Sequence, residues 1–326
     1  MSARGGVSRP AGAGSPCDDA WIVPPSLRPG SVVRVIAPSS PFDTALVWRG
    51  MGWLAERYRV RFERGIFSRR GYLAGDDDRR REELSRALVE PGVAAILCAR
   101  GGFGASRFAH RVDFTVLRAA PRWVVGFSDV TALHVEIAAS RVASLHAANV
   151  TALGRSDGHT RAGLVAALEA PLQSRQFDHL ATLQPGEAEG PLFGGNLALL
   201  HACAAAGRLR IPRGAVLFLE DVGERPYRID RMLTTLVAGG HLDAIGAVVV
   251  GELLGCGPGP DGITAERAIA EIVAPLGVPV VAGFPSGHGI VNEPLVFGGP
   301  ARVEARPSAA RVCLGRAPEA CLDGPS

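Results

Sequence analysis

The sequence predicts an α/β protein, a parallel sheet with helices on both faces followed by a second, smaller unit that also contains strands. Three observations carry this. Short apolar runs of strand length recur at 32–37, 93–99 and 123–126, with stretches of helical apolar spacing between them. Strand alternating with helix is the pattern of βαβ crossovers, which puts ligands beyond the C-terminal ends of the strands. The chain of 326 residues also exceeds one typical core, and its pattern weakens from Thr151 to Gly190, where a polar, Pro- and Gly-containing stretch reads as a linker.

Composition removes several function classes. A formal charge of +3, with no basic run interleaved with aromatics, argues against nucleic acid. The sequence holds no lysine, so a Ser–Lys dyad, a lysine Schiff base and a P-loop lysine are excluded. Six scattered cysteines (17, 98, 203, 256, 313 and 321) form no C-x-x-C pair and lie near no His at metal-ligand spacing. They read as free thiols of a reducing cytoplasm. Residues 1–16 lack the apolar segment of a secretory signal, and no apolar run is long enough to span a membrane. Residues 1–26 and 317–326 are expected to be loose tails.

The first strand, Ser31 to Ala37, stops at Pro38 before a hydroxyl-rich loop, Ser39-Ser40-Pro41. Thr44 to Arg57 reads as a helix and Tyr58 to Phe62 as a strand. Asp76-Asp77-Asp78 precedes Arg79 to Leu88. Successive aspartates cannot converge on one ion, so they read as the acidic opening of a helix. Val93 to Ala99 is a buried strand that runs into Arg100-Gly101-Gly102-Phe103-Gly104. Paired glycines let backbone N–H groups approach a ligand, although a simple turn explains them equally well. Trp123 to Gly126 is the next strand. Gly126-Phe127-Ser128-Asp129 must then turn sharply into a helix from Val130 to Ala139, the local form that raises a nucleophilic serine above a sheet. The plainer reading is that Ser128 or Asp129 only caps that helix. A helix from Thr160 to Leu168 falls inside the linker.

The second unit opens with Gly194-Gly195-Asn196, read as a turn, and an apolar helix from Leu197. Ala215 to Leu219 is a strand ending in Glu220-Asp221, and Pro226 suits the first position of a following helix. Strands at 247–251 and 278–284 flank a helix from Thr264 to Ala274. The last of these strands leads into Pro285-Ser286-Gly287-His288-Gly289, and two short strands close the unit.

A nucleophilic Ser128 needs a base, and the base needs an orienting acid. His134 is six residues along the same helix, about 9 Å at ~1.5 Å per residue, and off the serine's face. His201 reads as a packed or half-exposed helix residue. His110, His159, His179 and His241 have polar or turn-like surroundings, and His146 is a second-rank candidate. His288, between two glycines just past a strand, is the position that presents an imidazole. Glu220, Asp221 and Glu224 compete for the acid, and the residues alone do not separate them. Glu224 and Arg228, four apart, can simply pair.

These motifs, in this order, resemble the LD-carboxypeptidase family of serine peptidases (family S66), which includes muramoyltetrapeptide carboxypeptidases and the microcin C immunity hydrolases. The resemblance runs from about Gly30 to Gly298 on Val35-Ile36-Ala37-Pro38-Ser39-Ser40, Ala99-Arg100-Gly101-Gly102-Phe103-Gly104, Gly126-Phe127-Ser128-Asp129, Gly194-Gly195-Asn196-Leu197, Leu219-Glu220-Asp221-Val222-Gly223-Glu224 and Gly287-His288-Gly289. It implies a Ser128-Glu220-His288 triad and an oxyanion hole from the backbone of Asp129 with Gly101 or Gly102. It implies an N-terminal domain of class I glutamine amidotransferase-like or flavodoxin-like type (27–155), a linker (156–188) and a C-terminal domain carrying Glu and His (189–316). The site falls at their interface. It also implies a cytoplasmic homodimer with no metal or cofactor.

The resulting expectation is removal of the terminal D-alanine from a murein tetrapeptide, with Arg100 and Asn196 as candidates for binding the substrate. The Arg100-Gly101-Gly102 loop looks more like the murein branch. The alternatives are hydrolysis of acyl-sulfamoyl or peptidyl adenylates by the same triad, which calls for an aromatic-lined pocket, and a non-catalytic ligand-binding protein on the same fold. Neither nucleic acid nor membrane is an expected partner.

Overall fold

The computed structural model describes residues 20–156 and 158–316. The first half builds five parallel strands: β1 (Val32–Ile36), β2 (Arg59–Phe62), β3 (Val93–Cys98), β4 (Trp123–Gly126) and β5 (Ser144–His146), in the order 5-4-3-1-2. β1, β3 and β4 consist almost wholly of buried residues, which is why they read as continuous apolar runs. Around the sheet lie α1 (Thr44–Ala55), α2 (Asp77–Val89), the short α3 (Val116–Ala119), α4 (Thr131–Ala139), the short α5 (Val150–Leu153) and α6 (Gly158–Glu169). The aspartate run acts as a helix start: Asp76 accepts the Arg79 N–H at 2.8 Å, and Asp77 pairs with Arg80 and Arg107.

The second half is a closed seven-stranded barrel. Its strands are β6 (Arg175–Gln184), β7 (Gly186–Asn196), β8 (Val216–Val222), β9 (Ala247–Leu254), β10 (Val280–Ala282), β12 (Pro300–Arg306) and β13 (Ala309–Leu314); β11 (Leu295–Phe297) lies outside it. β7, β8, β9 and β10 run parallel in that order, and the remaining pairings are antiparallel. Along β8 the side chains alternate between two cores. Val216 and Phe218 face the barrel interior with Val249, Val281 and Val312. Leu217 and Leu219 join an outer core that also holds Leu133 and Val124 of the first half, so the two halves share apolar packing. Outside the parallel strands lie α7 (Leu197–Ala205), α8 (Pro226–Ala238, with Pro226 at its start) and α9 (Ala265–Val273).

β11 pairs antiparallel with β5, so the chain returns from the barrel half to complete a six-stranded sheet. Three expectations change accordingly. Residues 156–188 are not a linker: they contain α6, β6 and the start of β7, and β6 closes the barrel. The end of the chain supplies three strands instead of two. Of the expected N-terminal tail, residues 1–19 lie outside the described residues, as does 317–326. Residues 20–26 pack on the fold: the Ile22 N–H donates to the Arg141 carbonyl at 2.8 Å, and Trp123 Nε1 donates to the Pro25 carbonyl at 3.0 Å. Cys98, Cys203, Cys256 and Cys313 are unpaired. Among the described residues, no helix is long and apolar enough to cross a membrane.

Candidate active site

The loops that follow β1, β3 and β4 converge at the C-terminal ends of those strands. β4 ends at Gly126, and a 3-10 turn from Ser128 to Val130 leads into α4. Ser128 has φ +66°. For an L-residue that conformation costs about 1–2 kcal/mol, so the serine is held there by its surroundings. His134 supplies part of the hold. Its Nε2 faces the Gly126 carbonyl at 2.9 Å and its Nδ1 faces the Ser144 hydroxyl at 2.8 Å. Burial lowers its pKa to about 4. The neutral ring therefore donates from Nε2 to Gly126 and accepts from Ser144. His134 is a brace beneath the turn and not a base, as its position on the helix implied. The Asp129 carboxylate is buried as well and accepts the Ala105 N–H at 2.8 Å, and burial pushes its pKa up.

The loop after β3 lies directly against the serine. A Cβ on Gly101 would stand 2.8 Å from the Ser128 Cβ and 3.1 Å from the Phe127 carbonyl. Ser40 ties the first loop to this one, with its N–H on the Gly101 carbonyl at 3.2 Å and its hydroxyl accepting the Phe103 N–H at 3.0 Å. Gly101→Ala is expected to displace Ser128 and lower kcat/KM for hydrolysis by about 100-fold, the scale of an ångström-level misplacement. Steady-state rates beside a thermal melt check this, and an unchanged rate would show that Ser128 is not at the reacting centre.

The barrel presents the other side. β8 carries Glu220 at its end, and the β8–β9 register shifts between Leu219 and Asp221. Such an irregularity re-aims side chains. Glu220 is wholly buried, and its Oε2 lies 2.7 Å from His288 Nδ1. His288 rides on a loop closed at its base by the Glu293 N–H on the Pro285 carbonyl (2.9 Å) and by the Ser286 hydroxyl on the Glu293 carbonyl (2.8 Å). The Phe127 ring, one residue before Ser128, packs 4.9 Å from the His288 ring. Burial pulls the His288 pKa down, but the Glu220 hydrogen bond and the charges of Glu220, Asp221 and Glu252 outweigh it, and the net shift is upward.

The three competing acids now separate. Asp221 turns the other way and accepts from the Ala198 N–H at 2.9 Å and from Asn196 Nδ2 at 3.1 Å; burial raises it to about 6. Glu224 sits 3.5 Å from Arg228 as an i,i+4 pair. Glu252, which the sequence reading passed over, is a further carboxylate near the imidazole. It faces the Gly289 N–H, and burial raises its pKa. Its signal was the one that picked Glu220, an acid at the end of an apolar strand.

Ser128, His288, Gly101, Gly102 and Arg100 line one cleft of about 670 Å³. Asn196 does not line it. It is buried, caps α7 by accepting the Leu199 N–H at 3.2 Å, and donates to Asp221. Gly194-Gly195-Asn196 is therefore a junction and not a ligand turn. Gly195, at φ +133°, lets the end of β7 approach α4 so closely that a Cβ would meet Thr131 Oγ1 at 2.5 Å. The Asn196 N–H donates to that same oxygen at 3.1 Å.

A strained serine at a sheet end and a carboxylate-backed imidazole opening on one cleft are the parts of a serine-type hydrolase. The profile of the LD-carboxypeptidase N-terminal domain matches residues 33–147, and that of the LD-carboxypeptidase C-terminal domain matches residues 189–303. The chain belongs to the LD-carboxypeptidase family, and its class is that of a serine-type carboxypeptidase. It is 33% identical over 288 residues to the murein tetrapeptide carboxypeptidase of Pseudomonas aeruginosa, covering 83% of this chain and 92% of that protein. A crystal structure of muramoyltetrapeptide carboxypeptidase from Oxalobacter formigenes superposes with a TM-score of 0.79 at 26% identity, covering 88% of this chain and 99% of that one. MccF in complex with glutamyl sulfamoyl guanosine has the same fold at 18% identity, with a TM-score of 0.80 over 90% of this chain and 98% of that one.

Proposed function

We propose that Ser128, Glu220 and His288 act as a triad that removes the terminal D-alanine from a murein tetrapeptide. The observation that carries the triad is the 2.7 Å Glu220–His288 hydrogen bond, with the free edge of that imidazole on the cleft that Ser128 also lines. The relative from Pseudomonas aeruginosa supports the substrate. Glu220 accepts from His288 Nδ1–H, which leaves Nε2 as the base. Ser128 Oγ attacks the carbonyl carbon before D-alanine, and its proton passes to Nε2. Backbone N–H groups of Asp129 and of Gly101 or Gly102 receive the oxyanion. The C–N bond then breaks, His288 gives its proton to the departing amine, and an ester remains on Ser128. Water attacks that ester, its proton goes to His288 and then to Ser128 Oγ, and the shortened peptide leaves as the acid.

The cleft favours a peptide over an adenylate. Phe127 is the one phenyl ring among the described residues lining it, and that ring is turned onto His288, which leaves no aromatic platform for a base. We further read the parallel sheet as flavodoxin-like, supported by its strand order. On the family resemblance, the protein works as a homodimer in the cytoplasm, with light scattering as the check on the dimer. The test of function is mass spectrometry of a purified murein tetrapeptide incubated with the protein, with and without EDTA. Loss of one alanine at equal rates in both tubes is the expected result. An intact peptide in both would overturn the substrate reading, and loss only without EDTA would overturn the metal-free mechanism.

A further inference from the structure

We propose that Arg155 binds the terminal carboxylate of the substrate and thereby sets the preference for a free C-terminus; this rests on the carboxypeptidase reading above. An enzyme that removes one terminal residue must distinguish a carboxylate from a continuing chain. A cation at that spot does so, because an unpaired carboxylate entering a half-buried cleft loses its hydration. With no lysine in the chain, the cation is an arginine. Two arginines, Arg100 and Arg155, line the cleft.

They are not equivalent. Arg100 Nη1 donates to the Pro41 carbonyl at 2.6 Å and so holds the 38–41 loop. Arg155 is exposed; its N–H donates to the Ala152 carbonyl at 2.9 Å, and its guanidinium makes no hydrogen bond or ion pair among the described residues. The neighbouring cations are engaged: Arg161 donates to the Leu153 carbonyl at 2.9 Å and lies over Trp53, and Arg175 pairs with Glu293 at 3.1 Å. A guanidinium left without a partner in a cleft is a ready receptor for a carboxylate.

Its side of the cleft also fits the chemistry. The departing amine takes its proton from His288, so the departing residue sits on the imidazole side. Arg155 lies just ahead of α6. The α6 residue His159 reaches across to Glu293 with its Nε2 at 2.7 Å from Oε1, and Glu293 closes the loop that carries His288. The wall bearing Arg155 is thus joined to the His288 loop. Arg100 instead adjoins Gly101, where the oxyanion is placed.

The test measures kcat/KM for a murein tetrapeptide ending in D-alanine and for the same peptide ending in D-alaninamide. It compares wild type, Arg155→Met, Arg155→Lys and Arg100→Met, with fluorophosphonate labelling of Ser128 as the check on folding. Wild type is expected to prefer the acid. Arg155→Met is expected to lose about 10–100-fold on the acid, the scale of a charge-assisted pair, and to stay near wild type on the amide. Arg155→Lys is expected to recover part of the loss, and it decides the question by the same ratio if Arg155→Met does not label. A wild-type acid-to-amide ratio in the Arg155 variants, or its loss in Arg100→Met instead, overturns the assignment while leaving the carboxypeptidase reading in place. A wild type that labels but cuts neither peptide overturns that reading and this inference with it.

Discussion

Ser128→Ala is expected to lower kcat by on the order of 10⁵-fold, because a triad without its nucleophile retains only binding and oxyanion stabilisation. The loss should leave the fold intact. Alanine inherits the same left-handed backbone at φ +66°, so it neither relieves nor adds strain, and the melting temperature should stay within a few degrees. Ser128→Gly separates the two roles of this position. Glycine enters the left-handed region freely but also gains freedom in the unfolded chain, so the net stabilisation is at most about 1 kcal/mol. It should be as inactive as the alanine variant. Single-turnover rates beside thermal melts test both. Retention of a tenth of wild-type activity by Ser128→Ala would place the nucleophile elsewhere.

Glu220→Gln is expected to cost about 10³–10⁴-fold in kcat, since an amide no longer enforces the Nδ1–H tautomer or stabilises the imidazolium. Its effect on pH dependence has a definite sign. Burial lowers the His288 pKa, and the hydrogen bond and charge of Glu220 lead the contributions that raise it above 6.5. The base works only when neutral, so wild-type activity falls as pH drops through that raised value. Removing the carboxylate should move this acid limb to lower pH while depressing the plateau. The stability effect runs the other way. A raised histidine pKa stabilises the fold fully below the unfolded value and loses that contribution as pH rises through the folded one. Glu220→Gln should therefore destabilise more at pH 6 than at pH 9. Equal destabilisation at both, with an unmoved acid limb, would show that Glu220 does not act on His288.

How much of this was legible follows from where each residue's partners lie. Ser128 and His288 stood out because the signal is local: a tight turn between a strand and a helix, and an imidazole between glycines. Glu220 was ambiguous beside Asp221 because the outcome depends on a register shift against β9, which only the neighbouring strand imposes; the family order singled it out first. Asn196 was misplaced for a similar reason. Glycines before an asparagine suit a turn and a close approach equally well, and the partner that decides, Thr131, is 65 residues away. The barrel was missed because β6 and the first half of β7 are a mixture of half-buried and exposed positions, many of them polar, with Leu180 the one buried side chain. Their apolar content is that of a loop, and they become strands only by pairing with segments remote in sequence.

β11 bears on how such a protein can change. Only a few residues separate it from His288, yet it hydrogen-bonds to Ser144–His146 in the sheet that carries the serine. The halves therefore cannot be exchanged between relatives by a single crossover between them, because the incoming barrel brings a strand that must match a foreign sheet. Two separately made fragments cut before β6 would each lack a neighbour at that edge until they met. The spacing of nucleophile and base is therefore inherited as one piece.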